Sequence, residues 1–210
     1  MPRVLSLFDG TGSISSAFAG WDVESLDIDN RHAPTICADI LTWDYTELPC
    51  PDVIFAGVPC ENYSIANSRG VRKLVFADSL AQRTWDIIQH YLAINPALIW
   101  FIENPDSSML WRRKVSDPFP KNIRLDFCSY GKQYRKRTGF ATNTDFAPRP
   151  LCDKKTCASC VDGKHVKSAQ RGPAAGKLND ICSLDELHEY PVALCKELFE
   201  HCCQRVWNVV

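Results

Sequence analysis

Two side chains in this sequence have the types and surroundings needed for covalent and acid–base chemistry, Cys60 and Glu103. Cys60 lies in Gly57-Val58-Pro59-Cys60-Glu61-Asn62-Tyr63-Ser64, directly after the apolar run Val53-Ile54-Phe55-Ala56. That run reads as a buried strand. A thiol just past its carboxyl end stands where open α/β sheets collect their ligands, and Pro59 restrains the backbone that aims it. Taken alone, a free cysteine is more often a small buried hydrophobe than a nucleophile. Glu103 repeats the arrangement: Leu98-Ile99-Trp100-Phe101-Ile102 reads as a strand ending at Glu103-Asn104-Pro105. Desolvation at such a strand mouth disfavours the carboxylate, so a raised pKa and a carboxyl able to donate or share a proton are expected. The plain alternative is a strand cap with no chemistry.

A second group of residues has the size and polarity of a nucleoside site. Residues 3–8 read as a strand, followed by the turn Phe8-Asp9-Gly10-Thr11-Gly12-Ser13 and a short helix over 14–20. Glycines there let a backbone approach a ligand, and Ser13 with the helix start offers polar contacts. A dinucleotide fingerprint would need a third glycine where Ser15 stands. The next strand, 23–28, ends in Asp27-Ile28-Asp29, an acid placed to hold ribose hydroxyls. A short third strand, Cys37-Ala38-Asp39-Ile40, offers Asp39 to an adenine amino group and Ile40 to the ring face. The sequence has no Gly-Lys-Ser/Thr loop and no group of cations near Gly10. Those features favour a nucleoside cofactor without phosphates.

The charge is unevenly spread. Net charge is −1, yet residues 112–177 carry 16 Lys/Arg against 5 Asp/Glu. A basic block in a near-neutral chain fits a polyanion-binding surface, with a merely solvated face as the alternative. Within it, residues 123–130 and 138–142 read as a hairpin with a cationic turn. Arg135 and Arg137 alternate there, placed to grip phosphates or a base edge. Cys152, Cys157, Cys160 and His165 follow in a polar stretch that cannot bury enough surface to fold unaided. Four soft ligands at this spacing suit a structural tetrahedral zinc; reduced free thiols in a loop are the alternative. Eleven cysteines and no export signal at Met1-Pro2-Arg3 point to a reducing, intracellular compartment. No apolar run approaches the length of a membrane span.

The remaining elements must position these groups. An amphipathic helix is expected over 78–94, with Leu80, Trp85, Ile88, Tyr91 and Leu92 mostly on one face. Residues 106–122 read as a loop and 171–177 as a Gly/Pro-rich linker. Ser183-Leu184-Asp185-Glu186 reads as a helix cap, and a helix led by Pro191 runs to about 207. The whole is an α/β fold with three parts: a catalytic domain over 1–143, a small Cys/His-rich recognition or zinc segment over 144–182, and a terminal helix over 183–210 that packs back.

Six pieces occur in a fixed order: Phe8-Asp9-Gly10-Thr11-Gly12, the acid after strand two, Asp39-Ile40, Pro59-Cys60 with Ser64, Glu103-Asn104-Pro105, and Gln133-Tyr134-Arg135-Lys136-Arg137. In this order they resemble the cytosine-5 DNA methyltransferase family over about residues 3–143, in the manner of its compact phage and viral members. The resemblance implies a Rossmann-like sheet using S-adenosylmethionine. Phe8, Asp9, Gly10, Gly12, Ser13, Asp27, Ile28, Asp39, Ile40 and Pro59 would line the cofactor. Cys60 would be the nucleophile, Glu103 the group engaging cytosine N3, and Arg135 and Arg137 partners of the substrate. It further implies double-stranded DNA with the target cytosine flipped out. A monomer is expected, and for a viral chain a place inside the host cell, in cytoplasm or nucleus. Two features depart from the family pattern. The segment after Asn143 is short for target recognition, which predicts short or relaxed specificity, and the polar motif before the last helix is not recognisable. An RNA cytosine-5 methyltransferase and a catalytically idle nucleic-acid-binding module remain alternatives.

Overall fold

The computed structural model describes residues 1–65, 70–169 and 180–207. The linker expected over 171–177 lies outside the described residues. Its main sheet has seven strands: β1 (Arg3–Leu7), β2 (Asp22–Asp27), β3 (Ile36–Cys37), β4 (Val53–Gly57), β5 (Ile99–Pro105), β6 (Ile123–Asp126) and β7 (Arg137–Thr142). Their order across the sheet is β3-β2-β1-β4-β5-β7-β6. The first five run parallel, and β7 enters antiparallel between β5 and β6. The order reverses between β1 and β4, where an open α/β sheet leaves a crevice beyond its carboxyl ends.

The central strands are apolar without interruption because both their faces are covered. Leu5, Leu7, Ile54, Ala56, Trp100 and Ile102 point to one side, against α2 (Leu74–Ile94). Val4, Val53, Phe55, Ile99 and Phe101 point to the other, against α1 (Ser13–Ala17) and α4 (Val192–Trp207). Helix α2 buries Ala77, Leu80, Ala81, Thr84, Trp85, Ile88 and Tyr91 at helical spacing. Each large apolar side chain so buried contributes about 1.5–3 kcal/mol. On the opposite face Phe55 and Phe101 stack at 4.7 Å, and Phe199 of α4 meets Phe18 edge-on at 5.1 Å. The terminal helix thus packs on the layer behind the first turn.

Several boundaries differ from expectation, each for a local reason. The third strand stops at Cys37, since Asp39 turns the chain: its Oδ1 accepts from Leu41 N at 3.0 Å and its carbonyl from Trp43 N at 2.9 Å. Strand β6 ends at Asp126, and residues 127–130 wind into a 3-10 turn. Helix α2 begins four residues before the expected start, and 106–122 contains two 3-10 turns. A capping box at Ser183 and Glu186 opens α3 (Leu184–His188). A small hairpin of β8 (Cys160–Val161) and β9 (Lys164–His165) lies apart from the main sheet.

Candidate active site

Gly57 and Glu103 are paired neighbours at the carboxyl ends of β4 and β5. The sheet therefore brings the Cys60 loop and the Glu103 carboxyl to one rim, and their charges act on each other. Asn104 locks the two chains together: its Nδ2 donates to the Val58 carbonyl at 2.7 Å, fully buried. Glu103 is 8% exposed. Burial pushes its pKa up, opposed by the positive charge of Lys136 and by the hydroxyls of Tyr190 and Thr138 beside it. Its Oε1 and Thr138 Oγ1 nevertheless make no hydrogen bond of good geometry. A buried carboxyl oxygen left open in this way is poised for an incoming donor or acceptor. Burial also pushes the Cys60 thiol up, the Glu103 charge adds to that, and Lys136 opposes it.

The loop bearing Cys60 is anchored on both sides. Tyr63 N closes a turn onto the Cys60 carbonyl at 3.0 Å. The fully buried Tyr63 ring donates from its hydroxyl to Asp78 Oδ1 at 2.9 Å. Arg113 grips the same carboxylate with Nε at 2.5 Å and with a second guanidinium nitrogen. Asn62 accepts from Lys73 N at 2.9 Å at the start of α2. Cys60 thus emerges from a fixed frame.

The proposed cofactor residues cluster at the ends of β1, β2 and β4. Phe8, Gly10 and Gly12 adopt left-handed backbone, φ 56°, 50° and 71°. That is strained for Phe8 and is repaid by the tight turn it makes. Asp9 is held by Ser6 and Ser15 hydroxyls at 2.5 and 2.7 Å, and Asp27 accepts from Gly10 N at 2.9 Å and Asp29 N at 2.8 Å. Ser13 is engaged by Tyr190 N at 3.2 Å, and the half-buried Pro59 precedes Cys60. Ile40, expected at the ring face, is 3% exposed and packed in the core. Ile28 is the apolar side chain that stands free, at 71% exposure. Asp39 remains exposed, with Oδ1 in its own turn.

The cationic turn is arranged differently from a simple alternating grip. Arg137 is tied bidentately to the fully buried Asp126, at 3.0 and 2.8 Å. Arg135 is exposed. Lys136, which the sequence reading passed over, supplies the positive charge felt by Cys60 and Glu103. Its Nζ donates to the Leu187 carbonyl at 2.9 Å and lies over the Phe127 ring. Tyr190, which the sequence reading places only at the start of the terminal helix, also reaches the site: its hydroxyl stands 3.4 Å from where a Gly57 Cβ would lie.

The Cys/His group also differs. The ligand atoms within 4.8 Å of one another belong to Cys128, Cys152, Cys157 and His165. Cys160 is not among them, although its thiol adjoins those of Cys157 and Cys152. Local spacing suggested Cys160; Cys128 arrives from the turn after β6, which spacing cannot reveal.

A family model described as C-5 cytosine-specific DNA methylase matches residues 3–109, just over half of the chain. The chain belongs to that family. This methylase therefore acts on cytosine C5 and draws its methyl group from S-adenosylmethionine. It is 28% identical over 203 residues to the probable DNA (cytosine-5)-methyltransferase of Frog virus 3, covering 87% of this chain and 86% of the relative. It is 34% identical over 110 residues to the type II methyltransferase M.NlaX of Neisseria lactamica, covering 46% of this chain and 34% of that protein. Similar solved structures include the Entamoeba histolytica methyltransferase EhMeth, at 13% identity and TM-score 0.45, covering 70% of this chain and 54% of that one. A mutant of Spodoptera frugiperda DNMT2 is similar at 14% identity and TM-score 0.44, covering 73% and 54%. The methylase thus spans about half the length of these solved chains. Among its described residues, no helix is long and apolar enough to cross a membrane.

Proposed function

We propose that the chain methylates cytosine C5 in double-stranded DNA through a covalent Cys60 adduct, with Glu103 protonating or hydrogen-bonding N3. The observation that carries this reading is the buried Glu103 carboxyl, with Oε1 open, facing the Cys60 loop across paired strands. Cytosine C5 is a weak nucleophile. Addition of the Cys60 sulfur at C6, with a proton engaged at N3, makes C5 enamine-like and able to attack a methyl sulfonium. S-Adenosylmethionine supplies that methyl group when bound. Loss of the C5 proton and of the thiolate then restores the ring. Lys136 beside both groups favours the thiolate as the reaction begins. Both ring faces must be reached, so the cytosine leaves the stack.

Phe8, Asp9, Gly10, Gly12, Ser13, Asp27, Ile28 and Pro59 form the cofactor rim in this reading, with Asp39 at its edge and Ile28 replacing Ile40 as the ring contact. Arg135 meets substrate phosphate, and Arg137 orients the turn through Asp126. Residues 1–143 act as the catalytic unit, 144–182 as a zinc-bearing recognition segment, and 183–210 as the terminal segment whose helix α4 closes the cofactor side. The short recognition segment implies brief or relaxed sequence readout that leans on phosphate contacts. The acting unit in this reading is a monomer. The viral relative supports a place in the host cell, in cytoplasm or nucleus.

The test is transfer of labelled methyl from S-adenosylmethionine to duplex DNA and, in parallel, to transfer RNA. Labelled DNA is the expected result; labelled RNA alone would overturn the substrate. With 5-fluorocytosine DNA a covalent adduct should form in the parent and be missing in Cys60→Ala. No adduct in the parent would leave the idle binding module standing.

A further inference from the structure

The sulfur–nitrogen distances in the Cys/His group match an edge of a metal tetrahedron. Cys152 Sγ and Cys157 Sγ lie 3.5 and 3.7 Å from His165 Nε2. For Zn–S and Zn–N bonds of usual length, a tetrahedron sets that edge at about 3.5 Å. Resting on the zinc reading above, we propose that Cys128 is the fourth ligand, so that one Zn2+ fastens the Cys/His-rich segment directly to the catalytic sheet. The thiols of Cys128, Cys152 and Cys157 and the imidazole of His165 are a soft set suited to that ion.

The anchoring follows from where Cys128 sits. It is buried in the 3-10 turn directly after β6, two residues beyond Asp126. Cys152 reaches the same place: its amide donates at 3.0 Å to Asp126 Oδ2, the oxygen that also receives Arg137 at 2.8 Å. Cys128 and Cys152 therefore bracket the buried carboxylate that holds Arg137. The neighbouring chain is tied in as well, since Ser159 Oγ donates to the Lys132 carbonyl at 2.8 Å and Lys167 N to the Gln133 carbonyl at 3.0 Å. A metal bound only by residues 152–165 would close a local knot. A metal that includes Cys128 joins that knot to the cationic turn over 131–137.

Zinc content of the purified full chain, measured by mass spectrometry of the metal, tests both readings separately. The parent should hold about one zinc; a zinc-free parent after reconstitution overturns the metal reading itself. Cys128→Ser should lose most of the zinc, as should Cys152→Ser and Cys157→Ser, while Cys160→Ser keeps it. Zinc retained in Cys128→Ser and lost in Cys160→Ser would overturn the proposal and leave a local knot. Because a buried serine could impair folding, the parent is also labelled with N-ethylmaleimide before and after chelation. Cys128, Cys152 and Cys157 should become reactive together on chelation, with Cys160 already labelled beforehand. Simultaneous release of Cys160, with Cys128 unlabelled throughout, would overturn the proposal.

Discussion

Asn104 donates its side-chain amide to the backbone carbonyl of Val58 at 2.7 Å, joining the ends of two parallel strands that are distant in sequence. The bond fixes the spacing between the loop bearing Cys60 and the strand end bearing Glu103. Its other amide atom, Oδ1, is buried without a protein partner.

Asn104→Ala should therefore weaken both fold and chemistry. Leaving the Val58 carbonyl buried without a donor costs about 1–3 kcal/mol. In a chain of this size that corresponds to a fall of roughly 2 to 12 °C in Tm. Methyl transfer should fall more than the loss of folded protein accounts for, read as activity per folded molecule from thermal unfolding and labelled-methyl assays together.

Cys60 should resist alkylation in the free protein until the pH exceeds the ordinary thiol value of 9.0, because burial and the Glu103 charge hold its pKa up. Peptide mass spectrometry of iodoacetamide adducts across pH gives the midpoint. Glu103→Gln should move that midpoint down and Lys136→Met should move it up. An unchanged midpoint in both variants would mean that neither charge reaches the sulfur.

Glu103→Gln also has a stability signature. Burial raises the folded-state pKa of Glu103 above its usual 4.5. Stability associated with its proton is present in full below 4.5 and is lost as pH rises through the folded value. The glutamine variant carries no such penalty, so it should melt higher than the parent at mildly alkaline pH and lose that advantage at acidic pH. Its methyl transfer should drop by about 10²–10⁴-fold, the usual weight of a general acid.

Tyr190→Phe isolates the hydroxyl beside Glu103. That hydroxyl lowers the Glu103 pKa, so its removal should raise it further. If protonated Glu103 is the working form, the alkaline limb of kcat/KM moves to higher pH in Tyr190→Phe. The ring should still pack between Phe127 and Phe140, leaving the melting temperature close to that of the parent.

Much of the catalytic half is legible in the sequence. Uninterrupted apolar runs at 53–56 and 98–102 read as strands because parallel strands buried on both faces need no alternation. The turn at Gly10 and Gly12 was marked by the residues that adopt left-handed backbone. The cap at Ser183 declared itself by composition for the same local reason. The raised pKa of Glu103 also followed from its place at a strand mouth. The turn and the cap depend on interactions within a few residues, whereas the strands and the place of Glu103 show in the apolar pattern that distant packing completes.

Other features depend on which distant segments meet. Ile40 and Ile28 look alike in the sequence, but core packing buries Ile40 and leaves Ile28 exposed. Lys136 rather than an arginine brings positive charge to Cys60 and Glu103, because buried Asp126 claims Arg137. Tyr190 reaches Glu103 only because the terminal helix folds back over the first turn. Cys128 joins Cys152, Cys157 and His165 through the end of β6, a contact invisible to spacing within 152–165. By itself the sequence determined the strands, the turn and the order of reactive residues, since short-range sterics and hydrophobic patterning decide those. Only the tertiary structure decided which charge faces the thiol and which cysteine meets the histidine, because long-range packing sets both.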